Sequence, residues 1–293
     1  VKLEGIDKQY IETAFTFVQN DIRQNSRLNL ALYNTFNTKK GKYRTDRIKS
    51  IGEAPHLLDS SLVEISRVQI EKFLATKGYF DAKVESKILS EKQKSLIVFT
   101  AKQGPEFKIR NIKYEIEDPK VEELYLSRKN LFTRIKEGQR FDSDSLAYER
   151  EQIYRLLKGN GYYDYVRQYV RFDVDSNLNS SAADLTLFLS NPNEKSSHRI
   201  YTIDNSEVTI AKSNGLKDLV KPDTVILDSQ FRFIDHSGKF DAKPIARYMF
   251  LKKGQVYSID NEELTYDRLY DLNVFRNLKV DFVKASDSTN RLN

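Results

Sequence analysis

Apolar residues recur along this chain at two alternating spacings. Between residues 142 and 158, Leu146, Ile153, Leu156 and Leu157 fall on one side of a helix, because positions three and four apart share a helical face. Asp142 stands just before them and is a residue type that caps helix N-termini. From residue 166 the period drops to two, and Val166, Val170, Phe172 and Val174 alternate as in a half-buried strand. A polar break, SNLNSS, follows, and DLTLFLS at 184–190 predicts the returning strand of a hairpin. The same succession lies 83 positions earlier, with Asp59 as cap, Ala82, Val84 and Ile88 alternating, SEKQK as the break and SLIVFTA at 95–101 returning.

Aligned without a gap, 59–81 and 142–164 share nine identities in 23 positions: Asp59/Asp142, Ser60/Ser143, Arg67/Arg150, Gln69/Gln152, Ile70/Ile153, Leu74/Leu157, Gly78/Gly161, Tyr79/Tyr162 and Asp81/Asp164. The unit is therefore a repeat. Gly78 and Gly161 sit where each helix ends, a position whose left-handed backbone favours glycine. The aromatic residues after them are expected to pack beneath the helix end and launch the strands.

Upstream of the second copy, FKIRNIKYEI at 107–116 predicts a strand. DPKVEELYL at 118–126 predicts a helix start, with Asp118 as cap, Pro119 in the first turn, and Glu122 and Glu123 near its positive end. The second module thus reads strand–helix–helix–strand–strand over 105–192. The first module, 1–104, fits the same plan if Val1–Leu3 is its first strand, as in a piece cut from a longer chain. Its first helix is predicted from Asp7 to about Arg23, with Ile11, Ala14, Phe15, Val18 and Ile22 inward, and 27–56 is an insertion between its helices. A looser third module occupies 198–293. There HRIYTI at 198–203 predicts the first strand, and KKGQVYSIDNEEL at 252–264 parallels KEGQRFDSDSL at 136–146, matching Gly254 with Gly138. TYDRLYDLNVF supplies a shortened second helix, and LKVDFV at 278–283 predicts a strand with Leu278, Val280 and Phe282 on one face. Residues 205–243 are an insertion with a strand-like piece, TVILDSQFRFID, and the tail ASDSTNRLN reads as a turn, so the last strand of this module is expected to be missing. NPNEKSS at 191–197 reads as a linker and Gly104–Pro105 as the other junction. The expected fold class is α+β.

Composition narrows the function. The 293 residues are 39% hydrophobic and 31% charged, which suits two or three folded domains rather than a disordered chain. No apolar run approaches the roughly 20 residues of a membrane-spanning helix. Basic and acidic residues interleave, and a net charge of +6 is modest, so the charges read as solvated faces. The absence of cysteine excludes disulfides and Cys-ligated metals. His56, His198 and His236 have no second ligand at helical spacing and are read as surface or turn residues. DVDSNLNSSAAD at 173–184 is oxygen-rich but lacks the Gly and terminal Glu of a calcium loop, and is read as a hairpin turn. No nucleophile elbow, phosphate loop or dinucleotide glycine pattern occurs. KGNG at 158–161 is not a KH loop and no strand carries an aromatic RNP pattern. No enzyme activity, cofactor, metal or nucleic-acid partner is expected.

Modules of this order resemble polypeptide-transport-associated (POTRA) domains, with a Gly-x-x-aromatic turn before the second helix and a Gly-aromatic-aromatic corner after it. POTRA domains are the periplasmic repeats of outer-membrane protein assembly factors typified by BamA and TamA. EGQRFDSDSLAYEREQIYRLLKGNGYYDY and KKGQVYSIDNEELTYDRLYDLNVFRNLKVDF carry the resemblance most clearly. TYDRLYDLNVF resembles the last module before a membrane barrel, and IRQNSRLNLALYNTFN resembles the TamA-like lipoprotein branch, TamL. The resemblance spans nearly the whole chain and departs from the family at the two insertions, the shortened helix and the lack of a barrel. It implies tandem modules, each a three-stranded mixed sheet with two helices on one face, on the periplasmic side of a Gram-negative outer membrane. The implied partners are nascent outer-membrane proteins or accessory envelope proteins, bound by strand addition, and a C-terminal membrane barrel of the same chain. The implied open edges are about 80–89, 165–174 and 278–284. Lys279, Val280, Asp281, Phe282 and Val283 would act through their backbones as the client-strand edge, while Gly78, Tyr79, Gly161, Tyr162 and Gly254 would be structural corners. The alternative is a passive spacer that docks a barrel to another envelope protein and binds no client strand.

Overall fold

The computed structural model describes residues 1–36, 52–92, 94–177, 180–194, 196–211, 223–227, 231–286 and 289–293. The chain begins with a short strand, β1 (Lys2–Glu4), and a helix, α1 (Lys8–Thr16). α1 stops short of Arg23, because Phe17 N–H turns back to the Ala14 carbonyl and Asn20–Ile22 forms a separate 3-10 turn. Its buried stripe is Tyr10, Ala14 and Val18, with Ile22 from the turn, whereas the predicted Ile11 and Phe15 are exposed. The buried side keeps the expected Ala14, Val18 and Ile22 and has Tyr10 in place of Ile11 and Phe15. Tyr10 stacks edge-on against Phe73 and Tyr79 at 6.0 and 6.5 Å, and Phe15 lies instead under the Arg23 guanidinium.

α2 (Arg27–Phe36) lies in the first insertion and buries no residue, and 37–51 of that insertion are outside the described residues. α3 (Ser60–Thr76) is capped as predicted, the Asp59 carboxylate accepting the Ser61 N–H at 2.8 Å. It leads into β2 (Lys83–Glu91) and β3 (Lys94–Lys102). The sheet order is β1–β3–β2, with β1 parallel and β2 antiparallel to the central strand. Ile97, Phe99 and Ala101 alternate into a core shared with Val63, Ile70 and Leu74 of α3. In β2 only Val84 is buried. Ile88, predicted inward, is exposed with Leu89 and Leu96, because α3 engages the base of the hairpin and not its tip.

The next elements are β4 (Lys108–Ile116), α4 (Pro119–Arg128), α5 (Ser143–Gly159), β5 (Val170–Asn177) and β6 (Ala182–Leu189), with strand order β4–β6–β5. Asp118 accepts the Lys120 N–H at 2.9 Å and Asp142 the Asp144 N–H at 3.0 Å, so both predicted caps are in place. Val166 is exposed and is followed by a 3-10 turn at Arg167–Tyr169, so the strand starts later than its alternation suggested. Val121, Tyr125, Ile153, Leu157, Leu187 and Leu189 form the core. Within it, fully buried Glu149 accepts the Tyr125 hydroxyl proton at 2.8 Å, and burial holds its carboxyl above the usual carboxylate range.

The last part contains β7 (Thr202–Ile203), β8 (Glu207–Ile210), β9 (Asp223–Leu227), β10 (Phe231–Asp235), α6 (Ala242–Ala246), α7 (Ile259–Asp271) and β11 (Arg291–Leu292). α7 has 13 residues against 17 in α3 and α5, as the sequence predicts. Three expectations change. The 205–243 insertion builds its own mixed sheet, β8–β10–β9, with β8 parallel and β9 antiparallel to β10; 212–222 and 228–230 of it lie outside the described residues. Residues 278–283 keep the predicted alternation but form no regular strand, because among the described residues only Val283 has a ladder partner, Asn293. The tail is not simply a turn: β11 pairs parallel with β7, and Leu292 is fully buried against Tyr201, Ile203 and Tyr257. By contacts the described chain forms two units. One is Val1–Ile112, Lys136–Asp144 and Val174–Leu185; the other is Lys113–Ile135, Ser145–Asp173 and Thr186–Asn293, so β4, β5 and β6 contribute residues to both.

The two glycine corners share one construction. Gly78 and Gly161 have φ of 87° and 95°, and the amides of Tyr79 and Tyr162 return to Leu74 and Leu157 at 3.1 Å, closing each helix. The freed Gly78 carbonyl accepts the Phe107 N–H at 2.8 Å, and the Gly161 carbonyl accepts the Tyr201 N–H at 2.8 Å. Phe141 N–H then bonds to the Phe107 carbonyl at 2.8 Å, as Tyr257 N–H does to the Tyr201 carbonyl at 2.9 Å. Gly138 N–H bonds to the Ile109 carbonyl and Gly254 N–H to the Ile203 carbonyl, each at 2.7 Å. Three rings close each joint. Phe80 lies 5.1 and 5.0 Å from Phe107 and Phe141, and Tyr163 lies 5.8 and 5.1 Å from Tyr201 and Tyr257. A Cβ on Gly161 would stand 2.5 Å from Val256 Cγ1 and 2.6 Å from Ile200 Cγ2, whereas one on Gly138 would meet nothing within 4 Å.

Two outcomes test this account. Gly138→Ala should cost about 1–2 kcal/mol for its left-handed backbone alone. Gly161→Ala should cost roughly 1–3 kcal/mol more for overpacking the joint, a difference readable in urea denaturation. Glu149 tests the buried carboxyl. Its folded pKa is raised, so the native state holds the proton more tightly, and the stability it contributes at low pH is lost as pH rises through the raised value. Glu149→Gln, which keeps an acceptor for Tyr125, should therefore flatten stability against pH from the ordinary carboxylate range upward. It should also exceed the parent chain in stability at neutral pH.

Candidate functional site

The candidate site is made of backbone, so its geometry depends on which strand edges remain open. In the β1–β3–β2 sheet β2 is an edge, but it is partly occupied. Val84 N–H donates to Glu71 Oε2 at 3.0 Å, and the Val84 carbonyl accepts from Arg67 Nη1 at 3.0 Å. Arg67 is itself fixed by Glu64 at 2.6 Å and Glu71 at 3.1 Å. Those bonds place the even-numbered amides of β2 on the outer side, and α3 plugs the first of them. β5 is likewise an edge in β4–β6–β5. Arg150, the repeat equivalent of Arg67, plugs nothing there; its guanidinium lies 5.7 Å from the centre of the Phe172 ring. One residue at one repeat position thus closes an edge in the first copy and packs on a ring in the second.

Lys279, Val280, Asp281, Phe282 and Val283 lie in the extended segment after α7. Val283 and Asn293 exchange both of their backbone hydrogen bonds at 2.8 Å, and Ala285 N–H bonds to the Arg291 carbonyl at 3.0 Å. Odd positions of this segment therefore point toward β11, and even positions, Val280 and Phe282, point to the outer side. Among the described residues no backbone hydrogen bond involves Lys279 to Phe282. Val280 and Phe282 side chains pack toward Tyr257 and Leu292, and Leu278 toward Leu269, while Lys279 and Asp281 pair in solvent at 2.8 Å.

The structural corners support this segment. Asp164, from the second corner, accepts from Lys284 at 2.7 Å and from the Tyr201 hydroxyl at 2.5 Å. Burial pushes the Asp164 carboxyl up, but these two bonds outweigh it and leave it below its ordinary value. At the first corner Lys77 binds Asp144 and Asp142 at 2.5 and 3.1 Å; burial pulls its ammonium down, and the two carboxylates more than restore it. At the second, half-buried Lys158 donates to the Tyr163 carbonyl at 2.7 Å beside the Tyr163 and Tyr257 rings, and desolvation lowers its pKa. The sequence contained both the Gly-aromatic corner and the Gly-Gln turn as separate repeats. Their equal recurrence was the available signal that they meet.

The histidines are engaged elsewhere. His56 contacts the Arg23 carbonyl and Glu53, each at 3.0 Å, and His198 sits among Tyr162, Tyr165 and Tyr169. Asp184, at the end of the oxygen-rich segment, is bound by Asn111 at 2.9 Å and by Arg110; 178 and 179 of that segment lie outside the described residues. Among the described residues no cluster of three or more His, Asp or Glu is arranged to hold a metal, and no helix is long and apolar enough to cross a membrane.

Among solved structures, the chain is similar to POTRA domains 3–5 of Haemophilus influenzae BamA, with 12% identity and a TM-score of 0.47 over 82% of this chain and 81% of that one. It is similar to POTRA domains 1–3 of the periplasmic domain of Omp85 from Anabaena, with 11% identity and a TM-score of 0.27 over 93% and 88%. It is also similar to the N-terminal domain of Omp85 from Thermosynechococcus elongatus, with 12% identity and a TM-score of 0.26 over 100% and 92%. No protein-family model and no curated protein matches the chain.

The plug on β2 makes a prediction. Glu71→Ala removes the acceptor of the Val84 amide, and its hydrogen exchange should accelerate about fivefold or more, the equivalent of one net hydrogen bond of about 1 kcal/mol. Amides paired with β3 should be unchanged. NMR-detected exchange reads both.

Proposed function

We propose that this chain is the periplasmic, POTRA-type part of an outer-membrane β-barrel protein assembly or translocation factor, and that it binds client or accessory proteins by adding their strands to its open edges. On this reading the chain is three successive modules, 1–104, 105–192 and 198–293, and the stretch IRQNSRLNLALYNTFN points to the TamA-like lipoprotein branch. The observation that carries the reading is the segment 278–283: extended, alternating in burial, and, among the described residues, without backbone partners from Lys279 to Phe282. An edge of that kind recognises backbone, which every strand-forming client shares, and leaves sequence preference to shallow side-chain contacts. The β2 and β5 edges offer further sites of the same chemistry. The role asks no reaction of the chain, which fits side chains spent on joints and caps.

A passive spacer is the competing reading, and strand binding separates the two. A peptide of about ten residues with alternating apolar and polar side chains, like one strand of a membrane barrel, is the probe. Val280→Pro removes an outward amide. It should weaken binding of this peptide about five- to tenfold, the loss of one hydrogen bond, while circular dichroism and melting stay close to the parent chain. Equal binding by the proline variant would remove 278–283 as the client edge. No binding of the peptide by the parent chain would favour the spacer.

A further inference from the structure

The helix–strand unit written twice in this chain changes its chemistry around one arginine. In the first copy Arg67 holds Glu64 at 2.6 Å, three positions before it on α3, and Glu71 at 3.1 Å, four positions after it. In the second copy those two positions are Ala147 and Tyr154, so Arg150 keeps its place on α5 and has neither carboxylate. The other acids near it are engaged. Glu149 accepts from Tyr125, Glu151 binds Arg167 at 2.6 Å, and Asp173 pairs with Arg171 at 3.0 Å. The Tyr154 ring is covered by the Arg167 guanidinium at 3.6 Å. Among the described residues Arg150 forms no ion pair and donates no hydrogen bond; its Nε is buried without a partner, whereas Nη1 and Nη2 reach solvent. A second polar group is left over beside it. Ala82 of the first copy is replaced by Tyr165, which is 2% exposed and whose hydroxyl has no partner. The Arg150 charge acts on that hydroxyl, opposing the rise in pKa that burial causes.

These groups stand at an open strand edge. Ser190 N–H reaches the Tyr169 carbonyl at 3.0 Å, and the Arg171 guanidinium lies 4.5 Å from the centre of the Phe188 ring. The backbones of Tyr169 and Arg171 are therefore turned to β6, and that of Phe172 to the outer side of β5. The Phe172 side chain points to the helix-covered face, where Arg150 lies 5.7 Å from the centre of its ring. In a strand added to this edge, the residue paired with Phe172 would carry its side chain on that same face, against Arg150. We infer that Arg150 is a specificity residue: the β5 edge selects client strands with a glutamate opposite Phe172. The client then supplies from outside the carboxylate that Glu64 and Glu71 supply from inside in the first copy. This rests on the strand-addition reading and gives it a sequence preference. Ladder bonds are alike for every client, whereas a charge-assisted bond between guanidinium and carboxylate is about twice as strong as a neutral one. The β2 edge, whose arginine is already paired, and the segment 278–283, where Lys279 pairs with Asp281, have no such preference.

The test uses two peptides of about ten residues, alternating valine and threonine, with one central valine replaced by glutamate or by glutamine. Binding is read residue by residue, by NMR titration of the Phe172 amide and of the amides of β2 and 278–283. At Phe172 the glutamate peptide should bind about fivefold tighter or more than the glutamine peptide, and at the other two edges the peptides should bind alike. Two variants place the preference on Arg150. Arg150→Met removes the charge and keeps an apolar stem on Phe172. Ala147→Glu, at an exposed position of α5, restores the internal partner that Arg67 has, and its melting should stay close to the parent chain. Each should bring the two peptides to within about twofold at Phe172. Equal binding of the two peptides there by the parent chain would overturn the inference, as would a preference that survives either variant. Binding confined to β2 or 278–283 would also overturn it and leave strand addition standing. Binding at no edge would remove the strand-addition reading and this inference together.

Discussion

The carbonyl of a glycine at the end of a helix is the group on which the rest of this chain depends. At Gly78 and Gly161 the helix needs a left-handed residue to close, and that conformation turns the glycine carbonyl away from the helix axis. The carbonyl then accepts the first amide of the next strand, from Phe107 in one case and Tyr201 in the other. A single such bond is worth only about 1 kcal/mol. Its larger effect is geometric. It starts the following strand at one residue and, through the Phe141 and Tyr257 amides, aligns that strand with the Gly-Gln turn before the next helix. Side chains enforce the same arrangement, since the second aromatic of each corner, Phe80 or Tyr163, is the hub of the three rings that fill the joint.

The two joints differ where it matters for energetics. Lys77 answers its burial with two carboxylates, whereas Lys158 has a single carbonyl and three aromatic rings, Tyr154, Tyr163 and Tyr257, within about the reach of a cation–π contact. The second joint is therefore poorer in charge pairing and richer in tyrosine, and it carries Lys284 and Asp164 as an additional tie to the residues beside β11. A substitution there disturbs both the corner and the segment 278–283.

Much of this was written in the sequence because helix caps, glycine corners and period-two runs are local. Asp59, Asp118 and Asp142 were identifiable as caps from residue type and position, and the alternation of 184–190 indicated a strand. What escaped were features decided by partners. Tyr10 and Ile11 are equally able to begin a helical stripe, and only the rings of Phe73 and Tyr79 choose Tyr10. Ile88 and Val166 continue an apolar alternation past the reach of the helices that would bury them. Residues 278–283 have a strand's pattern without a ladder, and Arg291–Leu292 form a ladder with hardly any pattern. The outward edge at 278–283 was proposed from family resemblance. The division of its amides into two sides needed the Val283–Asn293 pair.

An open edge is useful to a binding module and hazardous to a soluble one, and the chain treats its edges unequally. The first outward amide of β2 is already satisfied by Glu71, with Arg67 taking the matching carbonyl, so an incoming strand there must displace an ion pair or bind further along. At β5 the same arginine position has been turned onto Phe172 and the edge lacks that plug. At 278–282 no such plug is seen among the described residues: the backbones of Lys279 and Asp281 turn to one side and those of Val280 and Phe282 to the other, so each side presents ladder groups of one parity.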